Sequence, residues 1–401
     1  MRVAVCGAGA FGRNHLRVYR ELESRESETA GQHVAPVVLV AAVEPDSARA
    51  AETASQYAIP VFPSVEALLA ADLRLHAASV AVPTVHHHAV AAPLLEAGLD
   101  LLVEKPLAAS LAEADHLLQI AEKHGRILQP GHLERFNPAV LAIQPKLRRP
   151  MFFEAHRLSI FTPRSLDVDV VLDLMIHDLD IVLTFANSPV REVRAVGLPI
   201  LSPKVDIANV RVEFESGCVA NFTASRVSTE RVRKLRFFEP RQYVSIDYAR
   251  QDLLVIRVGE TGGQNAAASL IASLPPHVAA LLPPGIAADI ASGKIDLAKV
   301  DPALIAQFAA MAKIDPAVIA HITSGASDSK TGLNFSKPDV TPGEPLKLEI
   351  LSFLDSIRTR RPPKVTAQQG RNALALALEI QTTMAAHAQR AGLLDFFEAS
   401  G

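Results

Sequence analysis

A glycine pattern near the start of the chain constrains the fold most. Gly7, Gly9 and Gly12 form a GxGxxG motif between a β-branched run, residues 2–6, and a helical pattern, residues 11–22. Such glycines let the backbone turn tightly and approach a pyrophosphate, whose charge the free N–H groups of the helix start can bind. The context predicts a dinucleotide-binding turn, as opposed to an unrelated glycine-rich turn, formed by Gly7, Gly9, Ala10, Phe11 and Gly12.

The first 128 residues alternate short apolar runs with longer alanine- and leucine-rich segments, as βα units of a parallel sheet do. Predicted strands cover residues 2–6, 37–43, 78–82, 99–103 and 127–129. Predicted helices cover residues 11–22, 46–57, 65–70, 87–97 and 111–124. Gly98 and Gly125 follow the last two helices as left-handed stops. We therefore expect an N-terminal, doubly wound Rossmann domain over residues 1–128.

Beyond residue 150 the pattern changes to longer alternating segments, which indicate a mostly antiparallel, open sheet. Strands are predicted at residues 190–198, 207–214, 218–227, 232–238 and 243–248, and helices at 170–185 and within 348–391. Residues 261–341 are rich in alanine and proline, and KVDPALIA at 299–306 recurs as KIDPAVIA at 313–320. We interpret 261–341 as an insertion, a lid or interface arm that is either folded or partly disordered. Residues 129–260 and 342–401 would form an α+β domain for substrate binding and oligomerisation.

Composition excludes several classes of protein. Forty basic and 43 acidic residues leave a net charge of -3, which argues against a general nucleic-acid binder. Two cysteines are too few for a disulfide framework or a cysteine zinc site. Neither a secretory signal nor an uninterrupted apolar span is present, so we expect a cytoplasmic protein. Adjacent histidines His86, His87 and His88 point in different directions on a helix, and no metal is expected.

The end of the second predicted strand carries a candidate ribose ligand. Glu44 follows the strand, thirty-two positions after Gly12, because a polar connection at residues 23–33 lengthens the link. A carboxylate here binds ribose hydroxyls and repels a 2′-phosphate, and no arginine follows at once. The position predicts NAD in preference to NADP; the alternative is a solvated strand-end carboxylate.

Two further groups of residues carry possible acid–base chemistry. Glu104-Lys105-Pro106 follows a buried strand at the sheet edge where open α/β folds bind ligands. Asp173, His177 and Asp180 can share one face of a helix, so a carboxylate could orient an imidazole beside a substrate hydroxyl. The alternatives are a surface lysine and a charged helix surface. A basic run at residues 226–236 is interpreted as a solvated or subunit-facing surface.

In this order the motifs resemble the Gfo/Idh/MocA oxidoreductases. The shared features are the GxGxxG turn, Val82-Pro83-Thr84 with His87, the EKP triplet, Asp173-x3-His177-x2-Asp180, Phe353-x3-Ile357 and Pro363-x-Val365-x4-Gly370. The resemblance implies oxidation or reduction of a sugar or cyclitol with a nicotinamide cofactor. It implies that Lys105 and His177 contact the reacting hydroxyl, either being the base, and that Asp173 completes the triad. The cofactor would be lined by Pro83, Thr84, His87, Glu104 and Lys105.

A narrower resemblance lies in GHLERFNP at residues 131–138 and DVDVVLDL at 167–174. These runs are similar to a subgroup that includes UDP-N-acetylglucosamine 3-dehydrogenases, whose 3-keto products a partner aminotransferase converts to amino sugars of some lipid A. The implied substrate residues are His132, Arg135, Asn137 and Asp180 for the sugar, and Arg157 or Arg164 for the diphosphate. Another sugar, an inositol or a non-catalytic dinucleotide sensor are the alternatives, and a homo-oligomer, a dimer or tetramer, is expected.

Overall fold

A six-stranded parallel sheet forms the first half of the chain in the computed structural model, which describes residues 1–28, 36–161, 168–258 and 333–393. The strand order is β3-β2-β1-β4-β5-β6, which is the Rossmann order with its topological switch between β1 and β4. The strands are β1 Arg2–Cys6, β2 Val38–Val43, β3 Val61–Phe62, β4 Ala77–Val80, β5 Asp100–Glu104 and β6 Leu128–Gly131. The predicted doubly wound sheet is confirmed, with the short β3 added.

Helices cover both faces of this sheet because its strands are apolar on both sides. They are α1 Gly12–Glu28, α2 Ser47–Tyr57, α3 Val65–Ala70, α4 His87–Glu96 and α5 Leu111–Lys123. Side chains of Asp46, Ser64 and Ser110 accept hydrogen bonds from the first turns of α2, α3 and α5. Gly98 and Gly125 have φ angles of 83° and 60°, as the predicted left-handed helix ends require. The predicted connection at 23–33 is in part helical, since α1 continues to Glu28.

The second half contains an eight-stranded sheet in the order β14-β13-β12-β11-β7-β10-β9-β8. Its members are β7 Phe152–Ile160, β8 Val190–Leu198, β9 Ile207–Phe214, β10 Val219–Ser228, β11 Val232–Glu239, β12 Gln242–Asp247, β13 Asp252–Val258 and β14 Leu333–Ser336. Only the β7–β10 pair is parallel, so the expected mostly antiparallel sheet is confirmed. Strands β7, β13 and β14 were not predicted, and β14 comes from the stretch interpreted as insertion.

Four helices complete the described chain: α6 Pro138–Ile143, α7 Ile176–Ala186, α8 Pro345–Thr359 and α9 Ala367–Arg390. Helices α7 and α9 cover the inner face of the second sheet, where Phe153, Phe222 and Phe237 form part of the core. Helix α8 instead packs its Ile350 and Phe353 against the parallel sheet, beside α1. The C-terminal segment therefore contacts both sheets and holds them together. The boundaries of the two domains, near residue 128 and around the insertion, stay a prediction.

Some expectations concern residues outside the described ranges. These are residues 261–332 of the predicted insertion, including the internal repeat, and Arg164. Within the described ranges, none of the helices is both long and apolar enough to cross a membrane. The same ranges contain no group of three or more His, Cys, Asp or Glu side chains placed to hold a metal ion.

Candidate active site

A cavity of about 420 Å³ opens at the carboxyl ends of β4 and β5, beside the glycine-rich turn. Open α/β sheets bind their ligands at this switch point. Six predicted site residues line the cavity, namely Phe11, Glu104, Lys105, Arg157, Asp173 and His177. The structure therefore brings together the EKP triplet and the Asp173–His177 pair, which are distant in sequence.

The glycine-rich turn has the shape that a pyrophosphate requires. Gly7 has a φ of 96°, and a Cβ placed there would lie 2.6 Å from the Ala81 carbonyl oxygen. A Cβ on Gly12 would lie 1.9 Å from the Gly7 carbonyl oxygen, so the turn closes only with glycine. At Gly9, by contrast, no described atom lies within 4 Å of such a Cβ. That open side leaves room for a ligand to approach the backbone, and the turn fits a dinucleotide.

Glu44 lies at the end of β2, where a ribose ligand is expected, and is held in place by its neighbours. Its carboxylate accepts hydrogen bonds from the backbone N–H groups of Ala8 and Asp46 and from the Arg49 guanidinium, each at 3.0 Å. Burial acts to raise the pKa of Glu44, but these hydrogen bonds lower it, so the group is ionised. Arg49 lies five residues beyond Glu44, so the sequence pattern directly after the strand did not indicate it.

Lys105 projects from the end of β5 into the cavity and contacts Asp173. Its Nζ donates to the Asp173 carbonyl oxygen at 2.7 Å and lies 3.7 Å from the Asp173 carboxylate. Burial lowers the pKa of Lys105, while the negative charge of Asp173 opposes that shift. Asp173 lies on a wide π-type turn, Val171–Met175, that precedes α7. In the structure, Asp173 is thus paired with Lys105.

His177, in the first turn of α7, lines the same cavity. Its Nδ1 is buried and has no hydrogen-bond partner among the described residues. Burial lowers its pKa well below the ordinary value, and the positive charges of Lys105 and Arg157 lower it further. His177 is therefore neutral at physiological pH, and its imidazole lines the cavity.

Two buried histidines, His15 and His87, support the loops of the cavity. His15, in α1, shares a hydrogen bond of 2.9 Å with Glu104, whose other oxygen accepts from the Lys105 N–H. His87 lies between the carbonyl oxygens of Pro106 and Val82, at 2.8 and 2.9 Å. His87 is 1% exposed, so it joins the two loops instead of facing a cofactor as predicted. Of the other predicted cofactor residues, Ala10 and Pro83 are exposed and Thr84 is half-buried.

The four residues expected to face the sugar do not line the cavity. All four are buried, and they are His132, Arg135, Asn137 and Asp180. His132 and Arg135 approach the Asp180 carboxylate at 4.0 and 3.8 Å. Asn137 caps α6 and bonds to Glu134 and to the Tyr248 carbonyl oxygen. Asp180, predicted to share a face with His177, instead lines a second cavity of about 640 Å³ between α7 and α9. The geometry therefore shows no direct contact of these four residues with a sugar beside Lys105 and His177.

Arg157 lines the cavity but is already neutralised by two carboxylates. Its guanidinium forms two hydrogen bonds to Asp178, at 2.7 and 3.1 Å, and one to Glu134 at 3.2 Å. It also lies over the Tyr248 ring, 5.2 Å from the centroid. A second guanidinium lines the cavity, that of Arg233 in β11. Arg233 is exposed, as expected for the basic run predicted to form a solvated or subunit-facing surface.

Comparison with known proteins identifies both halves of the chain. Residues 1–132 match a family model described as an oxidoreductase family with an NAD-binding Rossmann fold. Residues 140–241 match the GFO/IDH/MocA C-terminal domain. The first match agrees with the shape of the glycine-rich turn and the position of Glu44, so this N-terminal region is an NAD-binding domain.

Comparisons with individual proteins also indicate an oxidoreductase of this kind. The chain is 38% identical over 260 residues to UDP-N-acetylglucosamine 3-dehydrogenase of Acidithiobacillus ferrooxidans, covering 65% of this chain and 78% of that protein. A solved structure of the same enzyme aligns with a TM-score of 0.72 at 30% identity, over 96% of this chain and 98% of the other. An oxidoreductase of Agrobacterium radiobacter solved with NAD+ shares the fold, with a TM-score of 0.68 at 13% identity over 96% of each chain.

Proposed function

Since this chain belongs to the Gfo/Idh/MocA family of oxidoreductases, we propose that it oxidises the C3 hydroxyl of UDP-N-acetylglucosamine to the 3-keto sugar with NAD. The observation that carries the chemistry is the cavity that holds Lys105 and His177 beside the glycine-rich turn. The choice of sugar rests on the relative from Acidithiobacillus ferrooxidans, which is named for that reaction.

In the proposed reaction His177 accepts the proton of the substrate hydroxyl. A general base must be neutral, and the lowered pKa of His177 keeps it so. The Lys105 ammonium, held by the Asp173 carbonyl oxygen at 2.7 Å, stabilises the oxygen as negative charge develops on it. Bound NAD supplies the hydride acceptor. Asp173 thus acts on Lys105, by fixing the direction of its Nζ.

The dependence of kcat/KM on pH distinguishes His177 from Lys105 as the base. Because the pKa of His177 lies well below 6.5, the histidine stays neutral from about pH 8 to pH 6.5. We expect kcat/KM to be nearly constant over that range and to fall only at lower pH, as His177 becomes protonated. The measurement is a pH profile with saturating NAD. A steep fall between about pH 8 and 6.5 would assign the base to Lys105, since a lysine accepts a proton only when neutral.

The Glu44→Gln variant tests the preference for NAD over NADP. Loss of the charge should lower kcat/KM with NAD about ten- to a hundredfold, the effect of one charge-assisted hydrogen bond. It also releases Arg49, which lies 3.0 Å from Glu44 and would be free to pair with a 2′-phosphate. The ratio of kcat/KM for NAD to that for NADP should therefore fall.

Steady-state kinetics with both cofactors checks this ratio. Glu52→Gln, an exposed position in the same helix α2, is the matched control and should leave the ratio unchanged. Wild-type protein that uses NADP as well as NAD would remove the proposed preference.

A panel of substrates tests the proposed function as a whole. NADH absorbance is followed with UDP-N-acetylglucosamine, other UDP-sugars, free hexoses and inositols, with a trap for the ketone to draw the oxidation forward. We expect the highest kcat/KM for UDP-N-acetylglucosamine. Inositol is included because an inositol 2-dehydrogenase of Corynebacterium glutamicum is 28% identical over 221 residues. A higher value for inositol, or no signal with any UDP-sugar, would reject the proposed substrate.

The product and the setting of the reaction complete the proposal. A 3-keto sugar is a substrate for transamination, so an aminotransferase is the proposed functional partner, in a route towards the amino sugars of lipid A.

We further propose a cytoplasmic homo-oligomer. Its support is the outer face of the second sheet, where Phe152 and Tyr243 both contact the ring of Phe238, which is 36% exposed. Light scattering on the purified protein measures the subunit number.

A further inference from the structure

The cavity contains two guanidinium groups side by side. Arg157 in β7 and Arg233 in β11 are register partners on neighbouring antiparallel strands, and both line the cavity with Lys105 and His177. Register partners of an antiparallel sheet project to the same face. Two like charges so placed repel each other unless carboxylates or a bound anion neutralise them.

Among the residues that the structure describes, carboxylates bind only one of the two guanidinium groups directly. Asp178 and Glu134 bind the Arg157 guanidinium with three hydrogen bonds, and the Arg157 side chain is 4% exposed. Arg233 forms no ion pair or hydrogen bond through its side chain within the described part of the chain. Arg233 is exposed at the cavity. Desolvation and the charge of Arg157 lower its pKa, whereas the carboxylates of Glu134 and Asp178 act to raise it. Its guanidinium is therefore accessible to an anion that enters the cavity.

The chemistry of a nucleotide sugar places an anion at this position. The sugar carries its diphosphate on C1, and a single ring carbon separates C1 from the C3 that is oxidised. When C3 lies at Lys105 and His177, the first phosphate must lie within the same cavity or at its mouth. Arginine binds phosphate through parallel N–H donors, and its affinity is greatest where no carboxylate competes.

We infer that Arg233 binds the diphosphate of the sugar nucleotide, a role for which the sequence favoured Arg157 or Arg164. Arg157 instead holds the wall of the cavity through Asp178 and Glu134. This inference rests on the proposed function, since it assumes a substrate with a phosphate next to the reacting ring. It makes Arg233 a determinant of specificity for phosphorylated over free sugars.

Two variants in one strand test the inference. Arg233→Gln removes the cation from the cavity, and Arg236→Gln removes an exposed arginine of the opposite sheet face, where it pairs in register with Glu154. We expect Arg233→Gln to raise KM for UDP-N-acetylglucosamine and the Kd of UDP about ten- to a hundredfold, with the Kd of NADH unchanged. Arg236→Gln should match the wild type, and Arg233→Lys should recover part of the loss. The Kd of UDP is measured by calorimetry on the enzyme–NADH complex.

The two measurements separate this inference from the proposed function. If the wild type binds UDP through Arg233 but oxidises no UDP-sugar, the proposed reaction fails and the anion site stands. Equal UDP affinity in wild type and Arg233→Gln, or no UDP binding by the wild type, would overturn the assignment of Arg233. An NADH affinity unchanged in Arg233→Gln shows that the variant is folded.

Discussion

Replacement of Lys105 by methionine should abolish turnover while leaving the affinity for NADH close to that of the wild type. The variant keeps much of the side-chain volume in a cavity where Lys105 is 20% exposed, but it removes the ammonium that Asp173 positions. Groups that transfer protons or stabilise a developing oxyanion each contribute about 10²- to 10⁴-fold to the rate. We therefore expect kcat to fall by at least the lower of these factors.

Single-turnover kinetics and NADH fluorescence titration measure the two effects separately. Lys123→Met, an exposed lysine at the end of α5, is the matched control and should leave kcat and NADH affinity unchanged. A Lys105→Met protein with wild-type kcat would remove Lys105 from the reaction. A parallel loss of NADH affinity would instead mean that Lys105 mainly supports the cofactor site.

Arg157→Met should be among the most destabilising substitutions in the second half of the chain. Arg157, Asp178 and Glu134 are all at least 95% buried, so removal of the cation leaves two carboxylates without a charge partner. Breaking a buried ion pair from one side costs about 3–5 kcal/mol in the free energy of unfolding. Replacement of Arg233 should leave the free energy of unfolding nearly unchanged. The comparison would therefore distinguish the structural role of Arg157 in the cavity wall from the binding role of Arg233.

Urea denaturation followed by circular dichroism measures this difference. Arg211→Met in β9 is the matched control, because Arg211 pairs with Glu213 on the exposed side of the sheet, with 46% of its side chain accessible. Exposed pairs contribute little to stability, so its midpoint should match the wild type. Equal midpoints for Arg157→Met and the wild type would show that the buried network is not what stabilises this wall.

The sequence predicted those parts of the site that depend on local pattern. Gly7 and Gly12 lie between a strand and a helix, and Lys105 directly follows a buried strand, so periodicity alone located the cofactor turn and the edge of the sheet. The cavity that joins Lys105 to His177 follows from the fold that the family resemblance implied. Glu44 was placed at the end of β2 because a single rule, a carboxylate at the second strand end, applies there.

The remaining parts depend on contacts that sequence spacing does not encode. Strand β7 was missed because Arg157 occupies an inward position and breaks the apolar alternation. Arg233 was assigned to a solvated or subunit-facing surface, and it is exposed. Its place at the cavity was missed because its register with Arg157, seventy-six residues earlier, is not visible in the sequence. The resemblance of the GHLERFNP run suggested sugar contacts for His132, Arg135 and Asn137, but these side chains are buried by α8, α9 and β12–β13 neighbours that lie far along the chain.

The position of the hydrogen that is transferred tests the central claim most directly. UDP-N-acetylglucosamine carrying deuterium at C3 is incubated with the enzyme and NAD, and the mass of the NADH formed is determined. Oxidation at C3 predicts deuterium in the NADH with this substrate and none with the same sugar labelled at C4. Unlabelled NADH from the C3-deuterated sugar, or no NADH at all, would contradict a 3-dehydrogenase.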